Sequence, residues 1–138
     1  MTIWDNTRMK HLDPKEAWEL LQKQPDALLI DVRMEIEVKY VGHPPGAINI
    51  PWYEYPELKP DPMKFVHAVE KVVKSKDQPL ILLCRSGIRT LEAGRALVNA
   101  GFTDVTNILD GFEGPLDDNE QRGTEAGWRF DGLPWTQT

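Results

Sequence analysis

The sequence predicts an α/β domain in which a parallel sheet is covered by helices on both faces. Three observations carry this. Short apolar runs at 27–32 and 80–83 read as strands buried on both faces, and a further short strand follows at 105–109. Segments of helical periodicity lie between them, each long enough to cross from one parallel strand to the next. These segments begin and end on capping and breaking residues, so strand and helix alternate along the chain.

In order, Asp13-Pro14-x-Glu16 reads as N-cap, first helical residue and capping-box partner. Ala17, Leu20 and Leu21 then recur at helical spacing, and Gln24-Pro25 closes the segment. The first strand is ALLIDV at 27–32. A second, at 47–50, sits between Pro45-Gly46 and Pro51. Asp61-Pro62 opens a helix whose apolar stripe is Phe65, Val66, Val69, Val72 and Val73. LILL at 80–83 is a third strand. A third helix runs over 89–100, with Gly101 at the C′ position, and 105–109 is a fourth strand. Two stretches read as loops, the aromatic and proline-rich 51–60 and the acidic, glycine-rich 112–127. Neither is long enough to separate domains, so 1–138 reads as one domain.

A chain of 138 residues with 28% charged residues suits a soluble domain with one core. A single cysteine excludes internal disulfides and thiolate zinc sites, and the three histidines show no ligand spacing. The net charge of −6 argues against nucleic acid as partner. The first 13 residues contain no apolar signal-peptide core, and the longest apolar run, 80–84, is too short to span a bilayer. A cytoplasmic location is the default expectation, with no membrane partner.

The lone cysteine, Cys84, stands where the 80–83 strand stops and Arg85-Ser86-Gly87-Ile88-Arg89-Thr90 leads into a helix. Ligands of open α/β sheets bind beyond the carboxyl ends of strands. There the N–H groups of a helix start are unpaired and carry the positive end of its dipole. Gly87 permits a turn in which successive N–H groups converge, and Arg85 and Arg89 add full charges. A free thiol titrates near ~8.5, and helix N-termini with nearby cations bring that to roughly 3.5–7.5. The expectation is a nucleophilic thiolate beside an anion site, against the bland alternative of a small inert core residue. No His, Asp or Glu follows Cys84 before Glu92. That suits a thiolate made by electrostatics rather than by a cysteine–histidine pair.

Cys84, Arg85, Gly87 and Arg89 resemble the C-R-x-G-x-R loop of the rhodanese family of sulfurtransferases. Asp31-Val32-Arg33 looks like the family's D-V-R, with Glu37 at its downstream glutamate. The stretch from Gly42-His43-Pro44-Pro45-Gly46-Ala47 to Ile48-Asn49-Ile50-Pro51 looks like G-H-x-P-G-A-x-N-I-P. Leu109-Asp110-Gly111, Gly114, Gly127-Trp128 and Gly132-Leu133-Pro134 resemble its closing block.

The resemblance implies a three-layer sandwich around a five-stranded parallel sheet, and catalysis through a Cys84 persulfide. The donor would be a small sulfur-bearing anion such as thiosulfate. The acceptor would be thiophilic, cyanide or a thiol, a protein thiol included. It implies that the N–H groups of Arg85, Ser86, Gly87, Ile88, Arg89 and Thr90 hold the persulfide, that Arg85 and Arg89 bind the donor, and that Asp31 and Arg33 support the loop. It calls for no metal and no organic cofactor, and gives His43 a structural place in its turn. The segment 115–126 is an addition relative to the shortest members, either a surface loop or a flap. Three other functions compete: a phosphatase on the same fold, which would use a loop one residue longer; a non-catalytic binding module; and a persulfide carrier for a partner enzyme. Trp52, Tyr53 and Tyr55 could wall the pocket or cap the core, and Trp4, Trp18, Trp128 and Trp135 read as core or tail anchors.

Overall fold

The computed structural model describes the backbone of residues 3–4 and the whole of residues 8–138. The chain runs β1 (Ile3–Trp4), β2 (Lys10–Leu12), α1 (Pro14–Lys23), β3 (Leu28–Asp31), α2 (Glu35–Val41), β4 (Ile48–Asn49), α3 (Pro62–Glu70), β5 (Leu80–Leu83), α4 (Arg89–Asn99) and β6 (Val105–Ile108). The sheet order is β1-β2-β6-β5-β3-β4. Five strands are parallel, as expected, and the two-residue β1 adds an antiparallel edge to β2. The side chain of Trp4 lies outside the described residues. Among the described residues no helix is long and apolar enough to cross a membrane.

The alternation of strand side chains divides the core into two layers. Leu80, Leu82 and Cys84 point to the face covered by α3 and α4, together with Phe65, Val69, Ala93 and Leu97. Ile81 and Leu83 point to the other, against Leu12, Ala17, Phe112 and Trp128. Helices on both faces are thus a consequence of an all-apolar β5.

The caps hold as the sequence indicates. The Asp13 side chain accepts from Glu16 N–H while Glu16 accepts from Asp13 N–H, and Asp61 caps α3 by accepting from Lys64 N–H. Gly101 follows α4 with φ at +99°. Three elements depart from expectation. The helix opened by Asp61-Pro62, α3, stops at Glu70, so Val72 and Val73 fall in the following turn and Val72 is exposed. Two elements carried no sequence signal. β2 is only three residues long and begins on a lysine and a histidine. α2 buries no residue and so shows no apolar stripe. It is held instead by polar contacts: Met34 N–H donates to Glu37, and Glu35 N–H donates to Glu54 of the 51–60 loop.

From β3 the chain moves outward to β4, and from β5 it moves outward to β6 on the other side. The sheet therefore reverses between β3 and β5, where Asp31 pairs with Leu83 in register. This is the switch point at which open α/β sheets form their ligand crevice. Cys84 follows it by one residue.

Candidate active site

Cys84 leaves β5 into a loop that turns on Gly87, whose φ is +97°. A side chain there would also come within 3.2 Å of the Asp110 backbone nitrogen, a tight approach that adds to the preference for glycine. The turn brings Gly87 N–H onto the Cys84 sulfur at 3.1 Å. Among the described residues the N–H groups of Arg85, Ser86, Ile88, Arg89 and Thr90 donate to no protein acceptor, as at any helix start without a side-chain cap. Cys84 as a whole residue is 1% exposed.

The loop is held from below by the segment after β6. Phe112 N–H donates to the Cys84 carbonyl at 2.8 Å and Glu113 N–H to the Arg85 carbonyl at 2.9 Å. Gly111 makes this approach possible, since a Cβ there would lie 2.5 Å from the Cys84 oxygen. Phe112 in turn lies under the Arg33 guanidinium, 4.4 Å from its ring centre. Arg33 and Asp31 are both fully buried and joined by two side-chain bonds, Nε to Oδ1 at 2.9 Å and Nη2 to Oδ2 at 2.6 Å. Arg33 Nη2 also donates to the Gly42 carbonyl at 2.7 Å. The pair is therefore two contacts from the sulfur: Arg33 fixes Phe112, and Phe112 fixes Cys84.

The two loop arginines differ. Arg85 is exposed and makes no ion pair among the described residues. Arg89 is committed to Glu37 of α2 by two bonds of 2.6 and 2.9 Å, and it lies 5.3 Å from the centre of the Tyr53 ring. Its charge is compensated, which leaves Arg85 as the uncompensated cation of the loop. Burial, the largest influence on Glu37, pushes its carboxyl up. The hydrogen bonds and charge of Arg89, with help from Met34 N–H and the Arg33 charge, outweigh it and hold the group below its ordinary value. A carboxyl depressed on folding stabilises the fold above its ordinary value near 4.5, and the contribution is lost as pH falls through the folded value. The melting temperature should therefore drop between pH 5 and 3. A Glu37→Gln variant should show a shallower drop over the same window, measured by thermal unfolding; parallel curves would remove Glu37 from the account.

The aromatic loop splits between its two expected roles. Trp52 is core, edge-on to Phe65 at 5.2 Å with its indole N–H on Glu92, whereas Tyr53 faces Arg89 and Tyr55 is exposed. Trp18 and Trp128 pack edge to face at 5.8 Å, and Trp135 packs on Phe112. His43 sits in its turn, bridged to Thr136, with its ring nitrogens on the Pro44 and Thr138 oxygens. The added loop is folded on itself: the Asp117 carboxylate accepts from Asn119 N–H, Gln121 N–H and the Thr124 hydroxyl, and Gly123 N–H closes it onto the Glu113 carbonyl.

Reading along the chain missed the polar groups that reach Cys84 through the sheet. The sulfur is 3.5 Å from the Thr90 hydroxyl, which donates to Asn107 of β6, whose amide donates to His11 of β2. Thr90 and Asn107 are buried and His11 is nearly so. The available signal was Asn107 itself, an amide in the middle of an otherwise buried strand, which must find partners.

The fold is a parallel α/β sheet with one thiol beside the backbone amides of a helix start at its switch point. Comparison with known proteins makes that class specific. The family of Rhodanese-like domains matches residues 13–116, and the chain belongs to it. The solved structure of Rv0390 from M. tuberculosis superposes with a TM-score of 0.82 at 36% identity, covering 93% of this chain and 97% of that one. The Rickettsia conorii protein RC0915 is 33% identical over 87% of this chain and 91% of its own length. The thiosulfate sulfurtransferase GlpE of Glaesserella parasuis is 29% identical over 75% of this chain and 82% of its own. Sulfurtransferases are therefore among its homologues.

Proposed function

We propose that this protein is a sulfurtransferase that carries sulfane sulfur on Cys84 from a small anionic donor such as thiosulfate to a thiophilic acceptor. The carrying observation is the Cys84 sulfur beside the Gly87 N–H, in a loop whose other N–H groups have no protein acceptor. The Cys84 thiolate attacks the outer sulfur of thiosulfate. The bond between its two sulfurs breaks, sulfite leaves with the electron pair, and Cys84 becomes a persulfide. Cyanide or a thiolate then attacks the outer sulfur of the persulfide. Thiocyanate or a new persulfide departs, and the Cys84 thiolate is restored with no net redox change. The unpaired amides offer donors to the persulfide anion, and exposed Arg85 draws the donor in. A sulfur this buried suits a donor with a narrow terminal atom. No step calls on a metal or organic cofactor.

The direct test is mass spectrometry of the intact protein after thiosulfate. The expected result is a gain of one sulfur atom at Cys84 that cyanide removes. An unchanged mass after both thiosulfate and polysulfide would overturn the reading.

A further inference from the structure

The chain of groups from Cys84 to His11 has a direction. Strand register places His11 opposite Asn107. The Asn107 amide nitrogen is a donor only, so at 3.1 Å it donates to His11 Nδ1, which therefore carries no proton. That contact turns the Asn107 oxygen toward Thr90, whose hydroxyl donates to it at 2.5 Å. A hydroxyl has one proton. With that proton on Asn107, the Thr90 oxygen can only accept from Cys84, 3.5 Å away, and a sulfur that is to be accepted from must be a thiol. An amide cannot pass a proton along, so the chain is a set of fixed orientations and not a proton wire.

We infer that Asn107, oriented by His11, is a positioning residue that competes with the Cys84 sulfur for the single proton of the Thr90 hydroxyl. In the thiol state the proton stays on Asn107 and Thr90 accepts from S–H. When the sulfur becomes an anion, thiolate or persulfide, the hydroxyl turns to it and the buried Asn107 oxygen loses its donor. Forming the anion is thus coupled to breaking a buried hydrogen bond. This role rests on the proposed reaction only for its purpose; the competition itself is a property of the free protein.

The charged groups around the sulfur are Arg85 and Arg89 on its own loop, Glu37 of α2 bound to Arg89, the Asp31–Arg33 pair ending β3, and Asp110 behind Gly87. The test leaves all of them in place. With one cysteine in the chain, the ultraviolet absorbance of thiolate, taken as the difference from the same protein blocked with iodoacetamide, reports Cys84 alone. At a fixed pH near neutrality, Asn107→Leu should raise the thiolate-to-thiol ratio about tenfold, the worth of one hydrogen bond to a charged group. The gain should vanish when Asn107→Leu is made in a Thr90→Val background, because it acts only through that hydroxyl. A gain of equal size in both backgrounds, or none in either, overturns the inference. Asn107→Ala removes the same acceptor with a smaller side chain and serves if the leucine variant does not fold. The readout needs no sulfur donor, so a protein that fails to gain sulfur from thiosulfate would still decide it.

Discussion

Cys84→Ser should reduce the proposed sulfur transfer from thiosulfate to cyanide to the uncatalysed rate while leaving the protein folded. Both halves follow from the site. The hydroxyl of serine is far less acidic and a poorer nucleophile toward sulfur. An oxygen would also have to form a bond to sulfane sulfur with no persulfide as product, so the route is closed rather than slowed. The fold tolerates the change because the new hydroxyl finds partners already present: Gly87 N–H at the sulfur position, and the Thr90 hydroxyl beside it. The cost is the loss of a small apolar group from the layer shared with Leu80 and Leu82, about 1 kcal/mol or less for so small a change in volume. Thiocyanate formation measures the first half and thermal unfolding the second. Full activity in the serine variant would remove Cys84 from the mechanism; an unfolded variant would show that the thiol is first a core residue.

What could be read along the chain, and what could not, follows from the range of the interactions. β5 and α1 were legible because their determinants are local: LILL is a run, and Asp13, Pro14 and Glu16 cap within one turn. The thiol loop was legible for the same reason, since Cys84, Gly87 and the start of α4 lie within a few residues. The polar frame around it was not. Arg89 meets Glu37 and Asn107 meets His11 across long stretches of sequence, and each meeting depends on which strands are neighbours. The charge of Arg89 was therefore legible along the chain, and its pairing with Glu37 was not. α2 escaped because a helix with no buried residue leaves no periodic trace, its position being fixed by Glu54 and by the Glu37–Arg89 pair. Asp31 and Arg33 occupied a middle ground: their positions at a strand end were visible, their burial was not.

That burial sets a large stability effect. Asp31 and Arg33 have no exposed side-chain surface, and Arg33 Nη1 has no hydrogen-bond partner among the described residues. Asp31→Leu strands a guanidinium whose one remaining oxygen acceptor among the described residues is the Gly42 carbonyl. Breaking a buried pair from one side typically costs about 3–5 kcal/mol, which for a chain of this size lowers the melting temperature by roughly 10–20 °C. Arg33→Met strands the carboxylate instead and should cost a similar amount. The pair Asp31→Leu with Arg33→Met removes both charges at once, so it should recover much of the loss, because exchanging a buried ion pair for apolar side chains of similar volume is often close to neutral. The signature is therefore strong non-additivity, with the double variant more stable than either single one. Activity separates the pair's second role from its first. Arg33 lies on Phe112, and Phe112 holds the Cys84 carbonyl, so a double variant that regains stability should still transfer sulfur more slowly if the pair also fixes the loop. Single variants that melt within a few degrees of the parent protein would mean that the buried charges are relieved by a relaxation that the fold described above does not contain.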